Sequence, residues 1–148
     1  PNPEKKLFLI NNLFNQIKLL FDSDCNGKSC IEIKVEPESL ELYADEGQIS
    51  QVLINLVKNA IQANESNPKV RVLLSAKSAN NRIEIEVADN GLGIPKDVME
   101  EIFVPFFTTR ENGSGIGLSI SKQIVRLHGG NIKVKSIPNQ ETVFSITL

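Results

Sequence analysis

The sequence is poor in the residues that metal sites and membrane spans need. It holds one histidine, His128, and two cysteines, Cys25 and Cys30. Those side chains cannot supply the four ligands of a closed thiolate and imidazole zinc site. Cys25 and Cys30 stand in a polar stretch. Free thiols in a reducing cytoplasm are expected there, with a disulfide as the open alternative. No apolar run approaches the roughly 18 residues that span a bilayer, and no secretory leader is expected. Pro1 in place of Met suggests a piece of a longer protein. Neither sign of charge dominates, because 16 basic and 18 acidic side chains leave a net charge of −2. That balance gives no electrostatic case for nucleic acid or an anionic membrane. A bound anion must instead be met by a local constellation.

What is present is apolar content and periodicity. Apolar residues make up 41% of the 148 positions, which fits one packed domain with one core. Leu7, Ile10, Leu13, Phe14, Ile17 and Leu20 fall at helical spacing and predict a helix over 4–21. Alternation predicts strands over 31–35, 40–43, 70–77, 82–89, 131–137 and 142–148. Residues 78–81 give a hairpin signal. Asp45 can cap a helix over 46–64. A short helix is expected over 96–103, after Pro95. A longer one over 115–128 ends at Gly129-Gly130. Helices and strands mix without strict alternation. The fold class is therefore α+β, a two-layer α/β sandwich with a mixed, mostly antiparallel sheet packed on about three helices.

Several short motifs fail on inspection. Gly27-Lys28-Ser29 resembles the end of a phosphate-binding P-loop, but Asp22 stands where its first glycine is needed. Asp22, Asp24 and Asn26 begin like a calcium loop, but its bidentate twelfth position is Ile33. Two Gly-x-Gly pairs, at Gly91 and Gly113, lack the third glycine of a dinucleotide fingerprint.

Two features carry chemistry instead. The helix over 46–64 has an apolar stripe and a second stripe of Gln51, Asn55 and Asn59, with Lys58 beside it. A solvated face would account for one asparagine. Two in a helix interior are less expected, because Asn competes for backbone hydrogen bonds. A carbonyl oxygen such as that of Asn59 suits magnesium, which takes few protein ligands and completes its shell with phosphates and water. The second feature is a pair of glycine loops. Asp89 ends a strand, and Gly91 and Gly93 let a flat ring approach the backbone. A carboxylate there can accept from an exocyclic amine such as that of adenine. Gly113-Ser114-Gly115-Ile116-Gly117-Leu118 precedes a helix, where free N–H groups and the helix dipole favour an anion. The segment from Thr108 to Ser114 reads as a short lid over phosphates.

These residues together resemble the catalytic, ATP-binding domain of bacterial sensor histidine kinases, within the wider GHKL ATPase group. Gln51-Val-Leu-Ile-Asn55-Leu-Val-Lys58-Asn59-Ala60 resembles the N box, and Asp89-Asn-Gly91-Leu-Gly93 the G1 box. Phe103-Val-Pro-Phe106-Phe107 resembles the F box, and Gly113-Ser-Gly115-Ile-Gly117-Leu118 the G2 box. The match covers about residues 31–148. The resemblance implies magnesium on Asn59, adenine read by Asp89, and phosphates cradled by Gly113, Gly115 and Gly117. Asn55, Lys58 and Arg110 are the implied catalytic and phosphate-contacting side chains. Gly91, Gly93, Ile94, Phe107, Thr108, Thr109, Ser114, Ile116, Leu118 and Thr142 complete the implied ATP site. Glu141 departs from the glycine that relatives often place before this threonine.

The resemblance also implies a division of the chain. Residues 1–22 would be a lead-in helix from a missing dimerisation and phosphoacceptor hairpin, and 23–148 the catalytic domain. The implied partners are that hairpin and a response regulator receiver domain. Neither nucleic acid nor a membrane is an expected contact of this domain. A monomeric fragment, a homodimeric full-length protein and a cytoplasmic location follow from the same resemblance. Hydrolytic GHKL members place a glutamate four residues before the magnesium asparagine; here that position is Asn55, and an amide is a poor general base. Phosphoryl transfer to an outside histidine is favoured on that ground. A GHKL-type ATPase and an anti-sigma-like regulatory module are the alternatives. His128, at a helix end, is expected to be structural. Incubation with γ-labelled ATP should therefore leave no label on the isolated chain, and retained label would place an acceptor within it.

Overall fold

The computed structural model describes residues 2–22, 25, 30–64, 67–105 and 117–148. The elements run in order as β1 (Lys6–Leu9), α1 (Ile10–Phe21), β2 (Ile31–Glu36), β3 (Glu41–Ala44), α2 (Glu46–Gln62), β4 (Val72–Ala79), β5 (Arg82–Asp89), α3 (Gly117–Leu127), β6 (Asn131–Ile137) and β7 (Glu141–Thr147). Five strands form one sheet in the order β2-β4-β5-β7-β6. Only the β2–β4 pair is parallel; the other three are antiparallel. This is the expected α+β sandwich, with a mixed and mostly antiparallel sheet.

Alternation decides which side of the sheet is covered. Ile31 and Val35, Val72, Leu74 and Ala76, Ile85 and Val87, Phe144 and Ile146, and Ile132 are all buried. The register joins them into rungs, Leu74↔Val87↔Phe144 and Ala76↔Ile85↔Ile146. The intervening residues, such as Glu32, Lys77, Lys133 and Lys135, are exposed. One face therefore packs on helices and the other meets water, as antiparallel sheets permit. The hairpin between β4 and β5 turns at Asn80 and Asn81, whose φ values are +53° and +63°. Positive φ at both central residues suits the twist of the flanking strands, and asparagine tolerates it.

Helix α2 lies at the centre of the helical layer. Ile49, Val52, Leu53, Leu56, Val57 and Ala60 are its buried stripe. Asp45 caps it as expected, with Oδ1 accepting from the Gln48 N–H at 3.1 Å. Asp45 Oδ2 also accepts from the Glu4 N–H at 2.9 Å. These bonds, that from Glu4 first, hold the Asp45 carboxyl below its ordinary range. His128 joins the same corner, because its Nε2 accepts from the Asp45 N–H at 3.1 Å. That fixes the proton on Nδ1, which donates to the Ile124 carbonyl at 2.8 Å. The lone histidine thus ties the end of α3 to the start of α2.

Three expectations change. Residues 6–9 are a strand paired antiparallel with β3, not the first turns of a helix. Their backbone groups pair with a distant partner, and helix begins only at Ile10. Residues 96–103 form successive turns, with bonds such as Val98 N–H to the Pro95 carbonyl, and no continuous helix. Cys25 and Cys30 are a disulfide, their Cα atoms 5.9 Å apart, rather than free thiols. Both are buried and belong to the core cluster, at bridging distance. Helix α1 packs into the same core as the sheet and α2. Ile10, Leu13, Phe14 and Ile17 are at most 1% exposed and belong to the single core. Phe14→Ala should accordingly destabilise the chain by about 3–5 kcal/mol in urea denaturation. A loss below about 0.5 kcal/mol, the level of an ordinary surface change, would place α1 outside the cooperative unit.

Candidate nucleotide-binding site

The site begins where the rungs of the sheet stop being apolar. On β5 the inward series is Ile85, Val87 and then Asp89; on β7 it is Ile146, Phe144 and then Thr142. The register aligns Val72, Asp89, Thr142 and Ser136 across four strands. One polar rung therefore closes the core at this end. Asp89 is 8% exposed and Thr142 5%.

A buried carboxylate is costly unless hydrogen-bonded. Asp89 Oδ1 accepts from the Gly91 N–H at 2.9 Å. Burial nevertheless raises its pKa above the ordinary 3.8, and the Glu141 carboxylate adds to the rise. The Gly91 N–H and the Asn64 side chain oppose it. Glu141, the departure from the usual glycine, is thus part of the electrostatics of this carboxylate. The Ser136 hydroxyl organises the neighbouring loop. It accepts from the Ile94 N–H at 2.6 Å and donates to the Glu141 carbonyl at 3.1 Å. Its oxygen lies 3.2 Å from Thr142 Oγ1. Gly93 has φ +76°, and a Cβ there would press on the Ile137 carbonyl, so the loop requires glycine.

The asparagine stripe faces α3. Asn55 is half-buried, and its Nδ2 donates to Ser121 Oγ at 3.2 Å. A side chain at Gly117 would collide with the Asn55 carboxamide and displace it from its place against α3. Beside this contact runs a groove of about 380 Å³, lined by Gly47, Ser50, Gln51, Ile54, Asn55 and Lys58 of α2 and by Gly117, Ile120 and Ser121 of α3. Asn59 is one turn further along α2 and half-buried. Phe103, which opens the F-box segment, packs edge-on to Phe144 at 6.4 Å between centroids, with Lys122 Nζ 5.3 Å above its ring.

The structure therefore brings Asn55, Lys58 and Gly117 together at the groove. It gathers Asp89, Gly91, Gly93, Ile94 and Thr142 at the polar rung, and Leu118 packs against the core. Phe107, Thr108, Thr109, Arg110, Gly113, Ser114, Gly115 and Ile116 lie outside the described residues. Among the described residues no three His, Cys, Asp or Glu side chains converge as a metal cage, and no helix is long and apolar enough to cross a membrane. The sequence reading overlooked Asn64, Ser121 and Ser136. The signal was available for two of them. Asn64 follows Leu56 and Ala60 at intervals of four, and Ser121 precedes Ile124 and Val125, so each is a polar residue on a buried stripe.

Comparison with known proteins now gives the arrangement a context. Residues 44–148 match the family described as "Histidine kinase-, DNA gyrase B-, and HSP90-like ATPase". The chain is 41% identical over 118 residues to the C4-dicarboxylate transport sensor protein DctB of Rhizobium meliloti strain 1021, covering 80% of this chain and 19% of that one. It is 38% identical over 143 residues to the sensor histidine kinase ZraS of Escherichia coli O157:H7, covering 94% of this chain and 30% of that one. The catalytic domain of histidine kinase ThkA, in a nucleotide-free form, superposes with a TM-score of 0.86 at 33% identity, over 98% of this chain and 95% of that one. A structure of ThkA in complex with the response regulator protein TrrA matches with a TM-score of 0.77 at 30% identity, over 97% of this chain and 41% of that one. The chain spans about a fifth to a third of the length of the curated relatives it matches.

The raised pKa of Asp89 has a consequence for stability. The folded state binds the proton more tightly than the unfolded state, so stability falls as pH rises from the unfolded value, near 3.8, through the raised folded value. Asp89→Asn removes the buried charge. Its melting temperature at neutral pH should equal or exceed that of wild type, and this destabilisation on rising pH should vanish. A neutral-pH melting temperature clearly below that of wild type would contradict the assignment of Asp89 as a strained carboxylate.

Proposed function

Because the chain belongs to the histidine kinase-, DNA gyrase B- and HSP90-like ATPase family and is the ATP-binding catalytic domain of a sensor histidine kinase, we propose that it holds Mg-ATP and donates the γ-phosphate to a histidine outside this chain. One observation carries the choice of donation over hydrolysis. At position 55 the side chain facing α3 is an amide whose Nδ2 is committed to Ser121. It offers no base to a water, so a nucleophile must be supplied from elsewhere.

The residues present suit the nucleotide. Gly91 brings the backbone close to the Asp89 carboxylate, since a Cβ there would lie 2.8 Å from Asp89 Oδ1. Asp89 accepts from the exocyclic amine of adenine, and Thr142 beside it completes the polar edge. Asn59 offers a hard carbonyl ligand to the magnesium that accompanies the phosphates. Asn55 and Lys58 are placed to contact the phosphates at the groove, with Arg110 and the glycines from Gly113 to Gly117 as further contacts. From Asn55 to its end at Gln62 the helix rises roughly 10 Å, so α2 runs from the phosphate groove toward the base end of the site. Bound ATP supplies the phosphoryl group. The chain positions it and neutralises its charge, which is most of what phosphoryl transfer asks of a protein.

In the longer protein the acceptor sits on a dimerisation hairpin, and the phosphoryl group passes on to a response regulator. The complex of ThkA with TrrA supports that partner class. A cytoplasmic location follows from the need for ATP. Calorimetric titration with ATP and magnesium tests the site. Asp89→Ala and Asn59→Ala should each weaken binding by roughly tenfold to a hundredfold, the equivalent of one charge-assisted bond. The Asn59→Ala loss should disappear when magnesium is chelated. Unchanged tight binding in both variants would overturn the assignment.

A further inference from the structure

Asn64 stands just beyond the end of α2 and is 4% exposed, one of four buried polar or charged side chains among the described residues. Its backbone N–H donates to the Ile61 carbonyl at 3.0 Å. One hydrogen of its carboxamide goes to the Ala60 carbonyl, with Nδ2 at 2.7 Å. That bond closes an open helix carbonyl, and for a simple capping residue it would be sufficient. The second hydrogen remains, and the surroundings show where it is directed.

A Cβ built at Gly91 would meet Asn64 Nδ2 at 2.5 Å, Asp89 Oδ1 at 2.8 Å and Asn64 Oδ1 at 2.9 Å. The carboxamide and the carboxylate therefore converge on one point above Gly91, and a side chain at residue 91 would push them out of this arrangement. The Asn64 amide acts on Asp89 as a hydrogen-bond donor. Asn64 is itself braced, since its Oδ1 accepts from Asn67 Nδ2 at 3.5 Å. Asn67 Oδ1 in turn accepts from the Lys69 N–H at 2.9 Å. Asn90 reaches back to the same connection, donating to the Lys69 carbonyl and accepting from the Arg71 N–H, both at 2.8 Å. Three asparagines thus lock the end of α2 to the turn that carries Asp89.

We infer that Asn64 is a positioning residue for base recognition: its carboxamide aims the Asp89 carboxylate and holds it as an acceptor for a 6-amino purine. This rests on the assignment of Asp89 to adenine given above. A donor at this place has a double effect. It fixes the direction of the carboxylate, and it favours the ionised form against burial and against Glu141, the charged group that acts on Asp89. Discrimination for the amine then depends on a residue that does not touch the base.

The test compares ATP with purine riboside triphosphate, which has hydrogen in place of the 6-amino group, by calorimetric titration with magnesium from neutral to mildly acid pH. Wild type should prefer ATP by roughly tenfold or more. Asn64→Ala should reduce that preference to about threefold or less, a loss on the scale of one bond to a charged group. Its ATP binding should also fail at a higher pH than that of wild type, because Asp89 loses a donor that keeps it ionised. Asn64→Asp, which adds a like charge, should move the failure higher still. If Asn64→Ala does not fold, Asn64→Ser decides: its shorter side chain leaves Asp89 unsupported and should show the same loss of preference. A folded variant that keeps both the wild-type preference and the wild-type pH profile overturns the inference and leaves the adenine assignment intact. A wild type that does not distinguish the two nucleotides takes down the adenine assignment, and this inference with it.

Discussion

The roll angle of α2 is the constraint on which the rest of the molecule depends. Six buried side chains from Ile49 to Ala60 fasten one stripe of the helix into the core. With 3.6 residues per turn, a shift by a single position would rotate that stripe by about 100° and bring polar side chains into the core. Packing therefore permits one orientation. In that orientation Asn55 meets Ser121, Gly117 meets Asn55, and Lys58 points into the groove. The same roll carries Asn64 into the buried end of the sheet, beside Asp89. The hydrophobic effect supplies the force, and the precision of the polar stripes follows from it without added interactions.

Asp89 shows what the chain gives up at its site. The core could have ended on another apolar rung after Val87 and Phe144. It ends instead on a carboxylate held in poor solvation, with Glu141 making its charge less favourable. Such a residue lowers stability at neutral pH, and its neighbours only partly offset the cost. The compensation is local. It comes from the Gly91 N–H, the Asn64 amide and a loop whose glycines allow close approach. The serine at 136 stabilises the adjoining turn by serving as acceptor and donor at once.

Much of this was legible in the residues. Alternation in β2, β4, β5, β6 and β7 places their apolar faces correctly, because a strand with one solvated face must repeat every two residues. Asp45 announces the start of α2 by its side-chain chemistry. Four ordered boxes point to the ATP-binding family, since each combines a residue type with a backbone geometry that few other arrangements need. The failures have physical causes. Lys6–Leu9 abuts a helix of the same apolar character, and a short apolar run does not distinguish the two states. Its strand state depends on pairing with Glu41–Ala44, which no local window contains. The cysteines carried no sign of their pairing, because a polar stretch gives no indication that both side chains are buried in the core. Asn64 and Ser121 escaped notice because a polar residue on an apolar stripe has meaning only when its partner is known.

The sequence by itself determined the periodicities, the caps, the order of the glycine and asparagine motifs, and through them the fold class and the nucleotide-binding family. These are properties of side chains and of neighbours within a few positions. Tertiary structure alone decided that α1 belongs to the core, that β1 is a strand, and that His128 braces Asp45. It alone also set Asn64 against Asp89, residues 25 positions apart. Contacts of that kind join segments that are independent in the unfolded chain, so only the closed core fixes which polar groups are left facing one another.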